Sequence, residues 1–196
     1  MKYANVIFCL SVAVILAGLA ACDSGGMGPH YVPNVGLRIY YTLDSALNHA
    51  EAVYELKIEY QHIDSIPIAV TAFSKVGRFS MRGNNIANMP SFLYSLTPYY
   101  YDFSNNRLDS INTSAINPYV DALYLDSNRI SALPVELSKL RYIECLSLDY
   151  NKIQKISPEI RLLAYSLDEL SVVNNPLAPG MIDSLKKWLP ETWVRY

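Results

Sequence analysis

The feature that most constrains this chain is an internal repeat with a period of 22 to 24 residues. Each unit has apolar residues at fixed places around a side-chain amide, in the pattern L-x-x-L-x-L-x-x-N-x-L. The stretch DALYLDSNRISALP, residues 121–134, shows it with Leu123, Leu125 and Ile130 around Asn128. The amide position is filled six times, by Gln61, Asn84, Asn106, Asn128, Asn151 and Asn175. A fixed period of this length indicates a stack of small units rather than one closed core.

The strand in each unit is too short to be stable alone, but it can pair in parallel with the same strand of the next unit. In this pattern residues 53–178 resemble the leucine-rich repeat family, with six units. The resemblance implies an α/β solenoid, with a curved parallel sheet on the concave side. Its convex side would carry helical, 3₁₀ or coil segments, and helical caps would cover both ends.

The repeated asparagine has a structural explanation. Where each strand ends, the chain turns and leaves backbone N–H and C=O groups inside without a ladder partner, which is costly. An amide side chain can donate to and accept from these groups. We therefore predict an interior ladder formed by Asn84, Asn106, Asn128, Asn151 and Asn175, with Gln61 as a tolerated departure at the end of the array.

The segments after the turns predict short helices. Apolar residues recur every three or four positions after Pro134 and again after Pro158, and a proline is harmless at a helix start. Residues 112–123 are less regular, and we expect coil there.

Apolar residues at helical spacing also flank the array, as caps require. Residues 37–52 form the predicted N-terminal cap, with Thr42 as the N-cap of its helix. Residues 179–196 form the predicted C-terminal cap, in which Trp188 is expected to be core rather than ligand platform, and they end on a strand-like alternation from Trp193.

The N-terminus indicates export. Residues 1–21 have the length and apolarity of a signal peptide, and the run from Leu19 to Cys22 resembles a bacterial lipobox. The resemblance implies a lipoprotein acylated on Cys22, with palmitate-type chains. A plain secretory signal and an uncleaved membrane helix are the alternatives. Residues 22–36 are rich in glycine and proline and predict a flexible tether.

The expected location is therefore the bacterial cell envelope, held to the membrane by the lipid alone. The outer membrane or cell surface is favoured over the inner membrane. Asp23 resembles the inner-membrane retention signal of enteric bacteria, but sorting rules differ among lineages.

Charge and cysteines limit the partners. Removal of residues 1–21 takes away Lys2 and leaves a net charge of −3, which argues against nucleic acid. It also removes Cys9, so with Cys22 acylated Cys145 would have no cysteine to pair with.

No catalytic or metal motif is present in the sequence. His30, His49 and His62 are too scattered for a metal site, and Cys145 has no histidine in the neighbouring units to act as its base. We therefore expect no enzyme activity, no metal and no cofactor.

The residues between the inward strand positions face the concave side. There the sequence predicts lateral pairs of Glu55 with Arg78 and Glu59 with Arg82, and repulsion between Asp126 and Asp149. The candidate binding surface combines tyrosines and carboxylates, a composition that suits recognition: Tyr100, Asp102, Tyr124, Asp126, Asp149 and Tyr150.

Three functions are compatible with this surface. The first is recognition of a protein by a monomeric binding module. The second is carbohydrate binding, with Tyr100, Tyr124 and Tyr150 stacking on sugar rings. The third is a purely structural envelope protein, and the sequence does not choose among them.

Overall fold

The computed structural model describes residues 38–196. The signal peptide at 1–21, Cys22 and the tether at 22–36 lie outside the described residues. No helix between residues 38 and 196 is long and apolar enough to span a bilayer.

All strands of the described chain lie in one sheet, and they follow each other in chain order with parallel pairing throughout. The strands are Arg38–Tyr40 (β1), Val53–Lys57 (β2), Arg78–Ser80 (β3), Tyr100–Asp102 (β4), Ala122–Tyr124 (β5), Cys145–Ser147 (β6), Glu169–Ser171 (β7) and Trp193–Arg195 (β8). Strands β2 to β7 are the strands of the six repeats. This architecture confirms the predicted α/β solenoid.

The side opposite the sheet consists of short helical turns. The 3₁₀ helices are Ala50–Ala52, Ile68–Ala72, Ser91–Ser95, Thr113–Ala115, Val135–Lys139 and Pro158–Leu163, and the α-helices are Leu43–Leu47 (α1) and Met181–Trp188 (α2). Prolines stand at the N-cap or first position of four of the 3₁₀ helices: Pro67, Pro90, Pro134 and Pro158.

The third unit corrects the expectation of coil at residues 112–123, because a 3₁₀ helix occupies Thr113–Ala115. No proline begins this helix. Instead, the side chain of Asn112 accepts a hydrogen bond from the Ser114 backbone N–H at 3.2 Å and donates to the Met89 carbonyl at 2.8 Å. An asparagine cap therefore does here what proline does in the neighbouring units.

Both ends of the array are covered. At the N-terminal end Thr42 accepts from the Ser45 backbone N–H at 3.3 Å, which confirms it as the cap of α1. Strand β1 pairs with β2 and was not predicted from the sequence. At the C-terminal end α2 packs Leu185 and the partly buried Trp188 against the core, and β8 extends the sheet beyond the last unit.

The turn asparagines hold successive units together. Asn128 donates to the carbonyls of Leu125 in its own unit and Phe103 in the preceding one, both at 3.0 Å, and accepts from the Leu108 backbone N–H at 2.9 Å. The same bonding between units recurs at Asn84, Asn106, Asn151 and Asn175. The partners of the asparagine side chains are main-chain groups, so the ladder does not depend on which side chains occupy the concave face.

Candidate functional site

The concave face is built from two strand positions in each unit and a third position just beyond the strand. Strand pairing aligns the first column as Glu55, Arg78, Tyr100, Ala122, Cys145, Glu169 and the second as Lys57, Ser80, Asp102, Tyr124, Ser147, Ser171. The columns follow the order predicted from the sequence because the side-chain period of a strand is two and the units are in register.

A continuous row of side chains crosses the middle of this face. Arg78 forms an ion pair with Glu55 at 3.3 Å, and its guanidinium lies 3.8 Å from the ring centroid of Tyr100. The rings of Tyr100 and Tyr124 lie 5.1 Å apart with a 41° tilt. The Tyr124 hydroxyl oxygen is 3.8 Å from the Cys145 sulfur in the next unit.

The third column contains carboxylates that bond to the next unit. The Asp126 carboxylate accepts from the Ser147 hydroxyl at 2.6 Å and from the Asp149 backbone N–H at 2.8 Å. Asp149 repeats the arrangement with the Ser171 hydroxyl and with the Val173 backbone N–H at 2.8 Å. A second set of hydrogen bonds between units therefore runs along the concave surface.

The same pairing appears in the first unit, where Glu59 accepts from the Ser80 hydroxyl at 2.6 Å. We call these contacts the acid–serine pairs: Glu59 with Ser80, Asp126 with Ser147, and Asp149 with Ser171. The sequence does contain their signal, since each acid in the third column is followed in the next unit by a serine in the second.

Asp102 is the least accessible of the candidate binding residues, at 6% exposure. Its carboxylate accepts from the Ser104 backbone N–H at 2.8 Å and lies 3.8 Å from the Arg82 guanidinium. Burial raises the pKa of Asp102 above its ordinary range. Asp102 is therefore a poor hydrogen-bond partner for a ligand hydroxyl.

One electrostatic expectation needs correction: Arg82 forms no ion pair with Glu59, and its guanidinium instead donates from Nε to the Tyr60 hydroxyl at 3.0 Å and lies 3.8 Å from Asp102. The predicted repulsion between Asp126 and Asp149 is present, since the Asp149 charge adds to burial in raising the pKa of Asp126, but the Asp149 backbone N–H also donates to the Asp126 carboxylate. Burial still dominates at Asp126 and raises its pKa to about 6.

The rim of the concave face is formed by the residue before each turn amide. This residue has a positive φ in every unit: Tyr60, Gly83, Asn105, Ser127, Tyr150 and Asn174, with φ between 54° and 71°. Glycine and asparagine adopt this left-handed conformation at low cost, but tyrosine does not. Tyr60 and Tyr150 are nonetheless both 60% exposed at this rim.

No group of three or more histidine, cysteine, aspartate or glutamate side chains within residues 38–196 is arranged to hold a metal ion. Cys145 is disulfide-bonded in the full-length chain, whereas the expectation that it has no cysteine partner concerns a chain without residues 1–21 and with Cys22 acylated. The other two cysteines of the chain, Cys9 and Cys22, lie outside the described residues. A disulfide sulfur has no thiol, so Cys145 in this state cannot act as a nucleophile.

Comparison with known proteins places this geometry among repeat proteins. A leucine-rich repeat protein of Leptospira interrogans superposes with a TM-score of 0.67 at 22% identity, over 74% of this chain and 37% of that one. An internalin of Listeria monocytogenes gives 0.63 at 21% identity, over 77% and 42% of the two chains. The chain thus spans less than half the length of either protein.

A third similar structure is the leucine-rich repeat ectodomain of an Arabidopsis thaliana membrane receptor kinase, solved in complex with Casparian strip integrity factor 2. Its TM-score is 0.59 at 23% identity, over 74% of this chain and 18% of that one.

Sequence comparison is less informative. A probable serine/threonine-protein kinase of Dictyostelium discoideum, pats1, is 27% identical over 173 residues, which is 77% of this chain but 5% of the kinase. No protein-family model matches the chain. The sheet of consecutive parallel strands, the turn asparagines and the structural similarities together identify the described region as an α/β leucine-rich repeat solenoid.

Proposed function

We propose that this chain is a non-catalytic binding module that recognises a protein through its concave face. The observation that carries the proposal is the arrangement of Arg78, Tyr100 and Tyr124 in the middle of that face, where ring and guanidinium are held by the fold itself. Tyrosine and arginine held in a rigid setting are the residues most often found at the centre of protein interfaces. The similar plant ectodomain was solved with a bound partner, which agrees with such a use of this fold.

The geometry favours a protein over a carbohydrate ligand. Sugar binding needs an open aromatic face, but the Arg78 guanidinium lies over the Tyr100 ring and the Tyr124 ring is tilted beside it. Sugar hydroxyls also need accessible carboxylates, and Asp102 is buried against Ser104 and Arg82. The Tyr100 ring and the Asp102 carboxylate, which the carbohydrate hypothesis requires, therefore already have contacts within the chain.

Capture and crosslinking from an envelope extract of the source organism test the proposal. We expect the full-length chain to capture a defined protein, and the Tyr124→Ala variant to lose it. Tyr165→Ala is the matched control, because Tyr165 is a fully exposed tyrosine outside the concave columns. A glycan-array signal that Tyr124→Ala abolishes would instead support the carbohydrate hypothesis. Absence of both signals would support a structural role.

We further propose that the module is held at the envelope membrane by acyl chains on Cys22. The motif from Leu19 to Cys22 carries this proposal. Stable anchoring by lipid requires more than one chain, which a diacylated cysteine provides. The Cys22→Ala variant should leave the membrane fraction, and its continued recovery there would contradict the proposal.

The disulfide of Cys145 makes the anchor testable in a second way. A sulfur that carries lipid cannot also form a disulfide, so lipidated Cys22 and a bond between Cys22 and Cys145 exclude each other. The mass of the N-terminal peptide, measured with and without reduction, distinguishes the two. A peptide released by reduction at its unmodified mass would overturn the lipid anchor.

A further inference from the structure

The first and fifth units carry the same acid–tyrosine pair at the same positions. Glu59 and Tyr60 in the first unit correspond to Asp149 and Tyr150 in the fifth. Both carboxylates accept from the serine hydroxyl of the next unit. Both tyrosines have left-handed backbones, with φ of 54° and 55°, and equal exposure. The two pairs are therefore close structural equivalents within one molecule.

In the first unit this pair has a guanidinium from its own chain. Arg82, in the third column of the second unit, donates from Nε to the Tyr60 hydroxyl at 3.0 Å. Burial alone would lower the pKa of Arg82. The Tyr60 hydrogen bond and the charges of Asp102 and Glu59 raise it instead, so the charged guanidinium is well matched to its surroundings.

In the fifth unit the guanidinium is missing. The residue equivalent to Arg82 is Val173, which contributes its backbone N–H to Asp149 but no charge. The Tyr150 hydroxyl forms no hydrogen bond with any residue in the described range. Arg195, on the neighbouring strand β8, is directed instead to Glu169 at 3.3 Å and to the Trp193 ring.

The packing of the two tyrosines also differs. The Tyr60 ring lies against Gly83, where an added Cβ would come within 2.3 Å of the ring. The equivalent of Gly83 in the sixth unit is Asn174, which has a Cβ, so Tyr150 cannot settle on its neighbour in the same way. Tyr150 thus keeps a left-handed backbone, which is strained for a tyrosine, without the contacts that compensate Tyr60. An uncompensated outlier of this kind motivates a functional explanation.

The local charge defines what is missing. Asp126 lies beside the fifth-unit pair, with its carboxylate bonded to the Asp149 backbone, and burial together with the nearby Asp149 charge raises the pKa of Asp126. The first unit shows that this chain places an arginine on the tyrosine of such a pair, while the acid accepts from the neighbouring serine. Guanidinium is also the cation best suited to the task, because it can donate to carboxylate and phenol oxygens in one plane and stack on a ring.

We propose that Asp149 and Tyr150, with Asp126 beside them, receive an arginine side chain of a partner polypeptide, in the place that Arg82 takes against Tyr60. This inference rests on the proposed function and specifies its partner chemistry. The occupant is an extended, arginine-bearing segment of the recognised protein, seated at the acidic C-terminal half of the concave face.

The test uses the full-length chain and a fluorescein-labelled Gly-Arg-Gly-Arg-Gly peptide, with the lysine analogue for comparison, in fluorescence anisotropy at low salt. The arginine peptide should bind at least about threefold tighter than the lysine peptide, because the fork geometry is lost with lysine. Val173→Arg supplies the missing guanidinium within the chain and should weaken peptide binding by about tenfold or more, without lowering the melting temperature.

Val135→Arg is the matched control, since it adds the same charge at an exposed position on the convex side and should leave binding unchanged. Tyr150→Asn should weaken binding without lowering the melting temperature, whereas Tyr60→Asn in the first unit should leave binding intact. Equal affinity of wild type, Val173→Arg and Tyr150→Asn would overturn the inference. Absence of peptide binding, with partner capture still lost in Tyr124→Ala, would overturn it and leave the proposed function standing.

Discussion

Replacement of Asn128 by leucine tests the turn ladder most directly. Asn128 is 7% exposed and lies in the middle of the array. Its side chain accepts one hydrogen bond, from the Leu108 backbone N–H, and donates to the Phe103 and Leu125 carbonyls. Water cannot replace these contacts in a buried turn. After the substitution, each former partner of Asn128 either bonds to another protein group or has no hydrogen bond.

The partners are not affected equally. The Phe103 carbonyl also receives the amide of Asn106, and the Leu125 carbonyl that of Asn151, so each keeps one donor. The Leu108 N–H loses the acceptor shown for it, and Leu108 is fully buried. One buried donor therefore loses its acceptor, and two carbonyls each lose one hydrogen bond but keep another.

These losses set the expected magnitude. An orphaned buried N–H costs about 1–3 kcal/mol, and each lost hydrogen bond to a carbonyl that keeps another donor costs about 0.5–1.5 kcal/mol. The added apolar contact of leucine recovers about 1 kcal/mol. We expect Asn128→Leu to lower the free energy of unfolding by roughly 1–5 kcal/mol, which at its upper end is a large share of the stability of an ordinary domain.

The control is Gln61→Leu at the N-terminal end. Gln61 is exposed, and its side-chain amide donates to the Tyr41 carbonyl at 2.6 Å, so its loss should cost less than about 1.5 kcal/mol. Urea unfolding followed by circular dichroism measures both variants, with an unchanged m-value as the sign that the same surface unfolds. Equal losses at the two sites would refute the ladder argument.

Two further predictions follow from the concave face. Burial raises the pKa of Asp126 to about 6, from 3.8, so the folded state binds its proton more tightly than the unfolded state. Stability should therefore rise as pH falls from about 6 towards 4, and Asp126→Asn, which keeps the acceptor oxygen, should raise the melting temperature at pH 7 and flatten this dependence. Gly83→Ala should destabilise the protein by at least about 1 kcal/mol because Gly83 has φ of 71° and faces the Tyr60 ring. The added change Tyr60→Ala should relieve the contact but not the backbone strain, and full rescue of the melting temperature would show the strain argument to be wrong.

The repeat was predictable because its sequence pattern consists of residues that are buried in the fold. Leu123, Leu125 and Asn128 and their equivalents fix the strand, the turn and the register, so the columns of the concave face could be assigned in advance. Strand β1 was missed because Arg38–Tyr40 has no repeat pattern, and it is a strand only because β2 offers an edge to pair with. The 3₁₀ helix after Asn112 was missed because a side-chain cap replaces the proline signal.

The roles of the concave aspartates were harder to predict. A column assignment says which way Asp126 points, but not that Ser147 and the Asp149 backbone lie within hydrogen-bond distance of it. That proximity depends on the spacing between successive units, which the sequence of one unit does not determine. Residues that looked like a ligand surface thus also join the units, and substitutions there should change stability and binding together.

The repeats provide the means to separate these two effects. All six units place a left-handed residue before the turn amide, so the backbone requirement at that position is constant and only the side chain varies. Asn105 and Asn174 satisfy the requirement cheaply, and Tyr60 does so with the help of Arg82 and Gly83. Tyr150 does neither, so fold stability does not account for its ring. In a solenoid, comparison of equivalent residues shows which side chains the backbone conformation requires. A side chain that the backbone does not require, and whose backbone strain no neighbouring contact offsets, is the first place to look for a partner contact.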